Sequence, residues 1–198
     1  MRRFFWGLAV VWFAASAVPA AAHPHVWIDV KAEITISNGI LEGVWATWTF
    51  DDMFSSLIMQ DNDPSGAGKI TASINASIQR SYFDYLRNYD YFSHFQVNSK
   101  TIPTPAPKKF RATISSGGRV TYHFFLPVKV RLDAKTIFHV SFYDDTFFTA
   151  MSFIKKQPIV ITVTDGGSAS YTFAPDKSKT YYGGSVTPIF ALIRWSPQ

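Results

Sequence analysis

The stretch HVWIDVKAEITISNGILEGVWATWTF, residues 25–50, decides the fold of this chain. In its first half apolar and polar residues alternate, so that Val26, Ile28 and Val30 share one face of a predicted strand. The Asn-Gly pair at 38–39 favours a tight turn between antiparallel strands. The second half alternates in the same way. The sequence therefore predicts a β-hairpin at this point.

A helix and further strands are predicted beyond the hairpin. Apolar residues recur at helical spacing and predict an amphipathic helix over 71–91. A proline-rich segment ends regular structure, and the rest of the chain has the pattern of strands, including a second hairpin around Gly117–Gly118. We expect an α+β fold, an antiparallel β-sheet or sandwich with one long inserted amphipathic helix. The pattern does not predict where the stretch from Tyr181 onward lies in the fold.

The N-terminus has the pattern of a secretory signal peptide. Arg2 and Arg3 precede an apolar run that is too short to span a membrane, and a small-residue cleavage zone follows. We predict a signal peptide over residues 1–22 and one periplasmic α+β domain over 23–198. Cleavage after Ala20 and cleavage after Ala22 both fit the pattern.

Charge and composition exclude several classes of function. Removing Arg2 and Arg3 with the signal lowers the formal net charge from +5 to +3, and the remaining basic residues are scattered. No basic patch for nucleic acid is predicted. Because the chain has no cysteine, disulfides, thiol catalysis and cysteine zinc sites are excluded. Any metal site must use His, Asp, Glu or the backbone.

His23 and His25 are the first candidates for such a site. Residues i and i+2 of an extended strand point the same way, and two imidazoles at that spacing can converge on one ion. Cleavage after Ala22 would add the free amine of His23. Cleavage after Ala20 would leave an Ala-Ala-His terminus, which suits square-planar Cu(II) or Ni(II). The alternative is a pair of exposed histidines on an unpaired arm.

Two Asp-Asp pairs, 51–52 and 144–145, each follow an apolar strand and precede an aromatic residue. Such pairs ligate metals, serve as acid and base, or cap helices, and capping is the more common role for a single Asp. Asp51 and Asp144 are therefore both candidate ligands and candidate helix N-caps. His123 and His139 are reserve candidates on strands that the sequence allows to be neighbours, and His94 is interpreted as a structural histidine.

The Gly-rich loop that begins at Asp61 resembles a calcium-binding loop in part. Counted from Asp63, Ala67 and Ile74 stand where an oxygen ligand and the bidentate glutamate are required. We expect no strong calcium site there. The chain also lacks the G-x-S-x-G signature and a phosphate-binding glycine loop, so we expect no enzyme activity.

Taken together, the HPHVWIDV, WTFDDMFSS and FYDDTFFTAMSF segments resemble the domain-of-unknown-function 1007 family. Members are exported bacterial proteins described as the periplasmic component of an uncharacterised ABC-type transport system. They often occur beside, or fused to, nickel/cobalt-type permeases. The resemblance carries over to His23, His25, Asp29, Asp51, Asp144 and Phe147. Members often have a calcium-type loop and a proline where this chain has Asp145, and this chain departs from both.

Residues and resemblance together predict a periplasmic protein that binds a divalent transition metal (Ni, Co, Cu or Zn). His23 and His25 would be the primary ligands, and Asp51 or Asp144 would complete the site. The expected partner is a metal-ion permease in the inner membrane. The alternative is a module that docks onto such a permease and binds no metal. A metal-dependent hydrolase using the Asp pairs is a third interpretation.

Overall fold

The computed structural model describes residues 24–164 and 166–198. The predicted signal peptide, residues 1–22, and His23 lie outside the described residues. The predicted first hairpin is confirmed: β1 (Val26–Ser37) pairs antiparallel with β2 (Ile40–Phe50). Asn38 and Gly39 form the turn with φ of 50° and 65°, the left-handed conformation that this dipeptide tolerates.

After the hairpin the described chain forms two α-helices, a π-helical turn and a 3-10 segment, and then a series of short strands with one 3-10 turn before the last. The strands are β3 (Ser93–Val97), β4 (Lys100–Ile102), β5 (Lys108–Ile114), β6 (Val120–Leu126), β7 (Val130–Arg131), β8 (Ile137–Phe142), β9 (Thr149–Phe153), β10 (Ile159–Val163), β11 (Ser168–Pro175) and β12 (Ile189–Ser196). The helices are α1 (Asp52–Asn62), α2 (Ala72–Ile78), a π-helical turn (Gln79–Phe83), a 3-10 segment (Asp84–Phe92) and a 3-10 turn (Lys177–Lys179).

The first sheet is mixed, which corrects the expectation of a purely antiparallel one. Its main order is β10-β1-β2-β6-β5, with β7 paired to β2. Strands β9 and β10 both run parallel to β1, one beside its first half and the other beside its second half. The predicted second hairpin, β5 with β6, is confirmed in this sheet.

The second sheet has the order β11-β12-β8-β3-β4 and is antiparallel throughout. It includes the C-terminal stretch that the sequence could not place, because β12 lies between β11 and β8. The two sheets share one buried cluster, in which Trp48 of β2 packs edge-on against Phe142 of β8. The fold is α+β, with two sheets around a common core.

The predicted helix over 71–91 is helical but not one continuous α-helix. Thr71 caps it, and α2 then gives way to the π-helical turn and the 3-10 segment. Ile78 and Phe83, both buried, lie five residues apart, a spacing that a π turn brings toward one face. The segment ends in a left-handed stretch at Asp90, Tyr91 and Phe92. Core packing of the aromatic residues thus overrides the regular helical period.

Candidate functional site

His25 lies at the start of β1 against the turn that precedes β9. Its backbone N–H donates to the Phe148 carbonyl oxygen at 2.9 Å, and its imidazole packs on the Phe148 ring with centroids 5.0 Å apart. The side chain is exposed, and within the described residues its ring nitrogens make no hydrogen bond. His25 is therefore held in position by its backbone and ring face while both nitrogens stay accessible.

Asp51 caps α1, as the sequence predicted for one of its two roles. One carboxylate oxygen accepts the Phe54 N–H at 2.8 Å, and the other accepts the Trp27 N–H at 2.7 Å. The Asp51 N–H in turn donates to the Trp27 carbonyl oxygen. Asp51 thus joins the start of α1 to β1, and both of its oxygens are engaged by the backbone.

Asp144 folds a turn instead of capping a helix, so the helix-cap prediction for this residue is wrong. Its side chain is 2% exposed. One oxygen accepts the Thr146 N–H and hydroxyl at 2.9 and 2.7 Å, and the other accepts the Thr149 N–H at 3.0 Å. The next element is a strand, β9. Phe147 lies in the turn with a φ of 58°, a left-handed conformation.

Asp29, which the family resemblance also singled out, is engaged by an arginine. Arg119 Nη2 donates to its carboxylate at 3.0 Å, while Arg119 Nε donates to the Phe50 carbonyl oxygen at 2.7 Å. The same guanidinium lies 3.7 Å from Asp52. Arg119 therefore ties the start of β1 to the end of β2, and this part of the motif is structural.

The reserve histidines do not lie on neighbouring strands, because His123 lies in the first sheet and His139 in the second. His123 bonds Thr47 and Thr113 at 3.3 and 3.2 Å, and His94 Nε2 donates to the Tyr143 carbonyl oxygen at 2.9 Å. Burial lowers the pKa of all three rings. Within residues 24–164 and 166–198, no group of three or more His, Asp or Glu side chains could hold a metal.

The calcium-like loop satisfies its own carboxylate. Asp63 accepts a hydrogen bond from the Ser65 hydroxyl at 2.5 Å and one from the Gly68 N–H at 2.8 Å. These hydrogen bonds, that from Ser65 first, lower the pKa of Asp63. The neighbouring Asp61 accepts a hydrogen bond from the Tyr82 hydroxyl. The loop is thus stabilised internally by contacts that need no cation.

A cavity of about 400 Å³ lies between the core face of the first sheet, the 3-10 segment and the turn at Asp144. We call it the aromatic cavity, because nine of its fifteen lining residues are aromatic. They include Trp48, Tyr82, Tyr85, Tyr89, Tyr122 and Phe148. Asp144 is the one charged side chain among the described residues that line it. A concave, largely apolar space with few polar groups is typical of small-molecule sites.

Two polar atoms of the cavity-lining residues are buried without a hydrogen-bond partner. They are Trp48 Nε1 and the Tyr122 hydroxyl, in side chains that are almost fully buried. Burial raises the pKa of Tyr122, and burial with the hydrogen bond to Asp61 raises the pKa of Tyr82 to about 12. Both phenols are therefore neutral at physiological pH. The polar groups of the cavity wall thus include tyrosine hydroxyls and the Trp48 indole N–H, in addition to the carboxylate of Asp144.

Three of the lining aromatics are exposed. Tyr85, Tyr89 and Phe148 have 59%, 39% and 54% of their surface exposed. The hydroxyls of Tyr85 and Tyr89 lie 3.4 Å apart, and this contact, followed by burial and then by the charges of Asp144 and Asp145, raises the pKa of Tyr89. Large aromatic side chains left in solvent beside a cavity form an accessible entrance to it.

Sequence reasoning missed this cavity because several of its lining residues also fit a regular helix. Tyr82, Leu86 and Tyr89 lie at helical spacing, which predicts the apolar face of one continuous helix. They line the cavity instead, because the segment changes from π to 3-10 geometry. The left-handed residues Asp90 and Tyr91, which each cost about 1 kcal/mol or more, have no signal in the sequence.

Comparisons with known proteins identify relatives, and the descriptions of these relatives name no activity. A family model described as "Protein of unknown function (DUF1007)" matches residues 8–183. The "Uncharacterized 15.5 kDa protein in trpE 3'region" of Spirochaeta aurantia is 45% identical over 140 residues, 71% of this chain and 99% of that protein. An "Uncharacterized protein" of Haemophilus influenzae is 29% identical over 145 residues. That match covers 70% of this chain and 66% of the relative, just under two thirds of its length.

The helices in the described part of the chain are short. None of them has the length and apolar character needed to cross a bilayer.

Proposed function

This chain belongs to the DUF1007 family, and from that premise we propose that it is a periplasmic accessory protein of a metal transport system. It binds a divalent transition metal (Ni, Co, Cu or Zn) at its N-terminal arm and presents the ion to a metal-ion permease of the inner membrane. The protein is exported by a signal peptide over residues 1–22 and performs no catalysis.

The observation that carries the proposal is the state of His25. Its imidazole is exposed, fixed against Phe148, and without a hydrogen bond to either nitrogen among the described residues. His23, two residues earlier, supplies the second imidazole of a His-x-His clamp. A ring that is held in place but free at its nitrogens loses little entropy on binding a metal.

The two aspartates of the predicted ligand set are already engaged. The oxygens of Asp51 and Asp144 accept hydrogen bonds that hold their own turns. These contacts fix the orientation of both carboxylates, and within the described residues neither carboxylate belongs to a group of three or more possible metal ligands. We therefore assign the ligands to nitrogen atoms: the two imidazoles and the amine or amides that signal cleavage makes available. Such a set favours Cu(II) and Ni(II) over Co(II) and Zn(II).

Isothermal titration of the protein purified from the periplasm of a bacterial host tests this assignment. Each of the four metals is added in turn, after mass spectrometry has identified the first residue. We expect Cu(II) and Ni(II) to bind more tightly than about 10 µM. His25→Ala should weaken binding at least about tenfold, whereas the matched variant His123→Ala should not. Binding weaker than about 10 µM for all four metals would overturn the proposal.

A second candidate function rests on the exposed apolar side chains. Trp27, Met53 and Leu57 are exposed, as are the three aromatics beside the cavity. Large apolar groups in solvent are typical of a docking surface. The chain would then bind a permease without binding metal. Co-purification with a permease that survives His23→Ala combined with His25→Ala would favour this function over the first.

A further inference from the structure

We propose that the aromatic cavity binds an organic ammonium ion with apolar substituents. The Asp144 carboxylate provides the counter-charge, and the rings of the wall provide cation–π contacts. This site is distinct from the N-terminal metal site, because His25 is not a lining residue, although its ring packs on Phe148 of the cavity wall.

The size and composition of the cavity fit a small organic ligand. A volume of about 400 Å³ lies in the range of ordinary ligand pockets, roughly 300–1,000 Å³. The lining is dominated by aromatic rings, which attract cations through their faces. A strongly hydrated inorganic ion would find few oxygen ligands here. An alkylated ammonium ion can use both the rings and the apolar surface.

The charge of the wall selects a cation. Asp144 is almost fully buried, and within the described residues it forms no ion pair with a Lys, Arg or His. Its hydrogen bonds come from Thr146 and Thr149, which are neutral donors. A buried carboxylate without a counter-ion is costly, and a bound cation would offset that cost.

The negative potential extends to the accessible side of the cavity. Asp144 and the exposed Asp145 both raise the pKa of Tyr89, after the larger contributions of its contact with Tyr85 and of burial. The charge of the two carboxylates is therefore felt beside the cavity, where it would attract a cation from solution.

Binding of two probes with the same shape and different charge shows whether the cavity recognises the charge of its ligand. Benzyltrimethylammonium and neopentylbenzene have nearly the same shape, but only the first carries a positive charge. Binding to the periplasm-purified protein is followed through tryptophan fluorescence, since Trp48 lies in the wall. We expect the cation to bind at least about tenfold more tightly than its neutral counterpart.

Asp144→Asn tests the counter-charge, and Asp176→Asn is its control. Asp176 accepts the Ser178 N–H and hydroxyl at 3.0 and 2.6 Å, the same Asp-x-Ser/Thr arrangement as at Asp144. It lies outside the lining of the cavity. We expect Asp144→Asn to reduce the preference for the cation about tenfold and Asp176→Asn to leave it unchanged.

Tyr85→Leu keeps the proposal testable if Asp144→Asn fails to fold. Tyr85 is mostly exposed, so its replacement should not unfold the protein. Binding of the cation should weaken about fivefold, while the equally conservative Phe173→Leu, outside the cavity, should have no effect. Three results would each overturn the proposal: equal binding of both probes, no binding of the cation below about 1 mM, or an unchanged preference in a folded Asp144→Asn.

Discussion

The two Asp-Asp junctions of this protein have nearly the same sequence and different structures. At the first, Asp51 follows β2 and caps α1 while remaining partly exposed. At the second, Asp144 follows β8, is almost fully buried, and folds a turn that leads into β9. The difference comes from the residues that follow. Met53 to Leu57 favour a helix, whereas the Thr- and Phe-rich segment after Asp145 favours a strand.

The comparison shows that the Asp-Asp motif determines which kind of hydrogen bond the first carboxylate accepts. It does not determine which secondary structure follows or how deeply the Asp is buried. In both junctions the carboxylate accepts backbone N–H groups two or more residues ahead. Both junctions contribute residues to the cavity wall, Phe50 and Phe54 from the first, but only at the second is the Asp itself a lining residue. For this reason our proposal for the cavity uses Asp144 and not Asp51.

The largest expected effect is that of Asp144→Ala. Two backbone N–H groups and a hydroxyl would lose their acceptor at a mostly buried site, so we expect a loss of about 3 kcal/mol in the free energy of unfolding. Urea denaturation followed by circular dichroism measures it. If Asp144→Ala lowers the free energy of unfolding by no more than Asp51→Ala does, the buried junction is not the more important one for stability.

Asp51→Ala should be milder. It removes a helix N-cap and the acceptor for the Trp27 N–H, at a partly exposed position where water can replace the oxygen. We expect a loss of about 1.5 kcal/mol. The same urea experiment applies, and Asp51→Asn should recover part of the loss because an amide oxygen still accepts the Phe54 N–H. A loss near zero would show that the cap contributes nothing.

The pH dependence of stability tests the second junction, where His94 Nε2 donates a hydrogen bond to the carbonyl oxygen of Tyr143, the residue before Asp144. Burial keeps the pKa of His94 below its ordinary value near 6.5. As pH falls below about 6.5, the unfolded chain takes up a proton that folded His94 resists, so stability decreases. We expect a lower unfolding free energy at about pH 5 than at about pH 7.5, and a smaller decrease in His94→Gln. An equal decrease would assign the dependence to His123 and His139.

The smallest effect should come from the second carboxylate of each pair. Asp52 is exposed and lies 3.7 Å from Arg119, and Asp145 is also exposed. An exposed ion pair contributes at most about 1 kcal/mol. We expect Asp52→Asn and Asp145→Asn each to change the unfolding free energy by less than about 0.5 kcal/mol. A larger change at either would mean that the pair acts as a unit.

Much of the local structure followed from local signals in the sequence. The Asn38-Gly39 turn, the alternation of β1 and β2, and the cap at Asp51 each depend on residues within one hairpin or one helical turn. The hairpin at Gly117–Gly118 is of the same kind, and Gly118 takes the positive φ, 83°, that its turn requires. Local backbone preferences and hydrogen-bond chemistry suffice for such features.

The candidate site could be predicted only in part. His25 was found from its spacing to His23, and its exposure agrees with an accessible ligand, although its contact with Phe148 was not foreseeable. Asp144 was singled out as a ligand or cap, yet its burial in a cavity wall depends on the path of the chain after β8. No signal in the sequence around Asp144 indicates that Tyr85 and Tyr89 lie beside the same cavity.

The sequence by itself determined where the two hairpins turn, which faces of the first strands are apolar, and that Asp51 suits a helix N-cap. Only the tertiary structure decided that β9 and β10 join β1 in parallel, that β12 completes the second sheet, and that an aromatic cavity forms. The physical reason is the distance along the chain between the residues that interact. Turns and caps are set by neighbours in sequence, whereas a cavity wall is set by the packing of segments from Val26 to Thr149, which meet only when the whole core is formed.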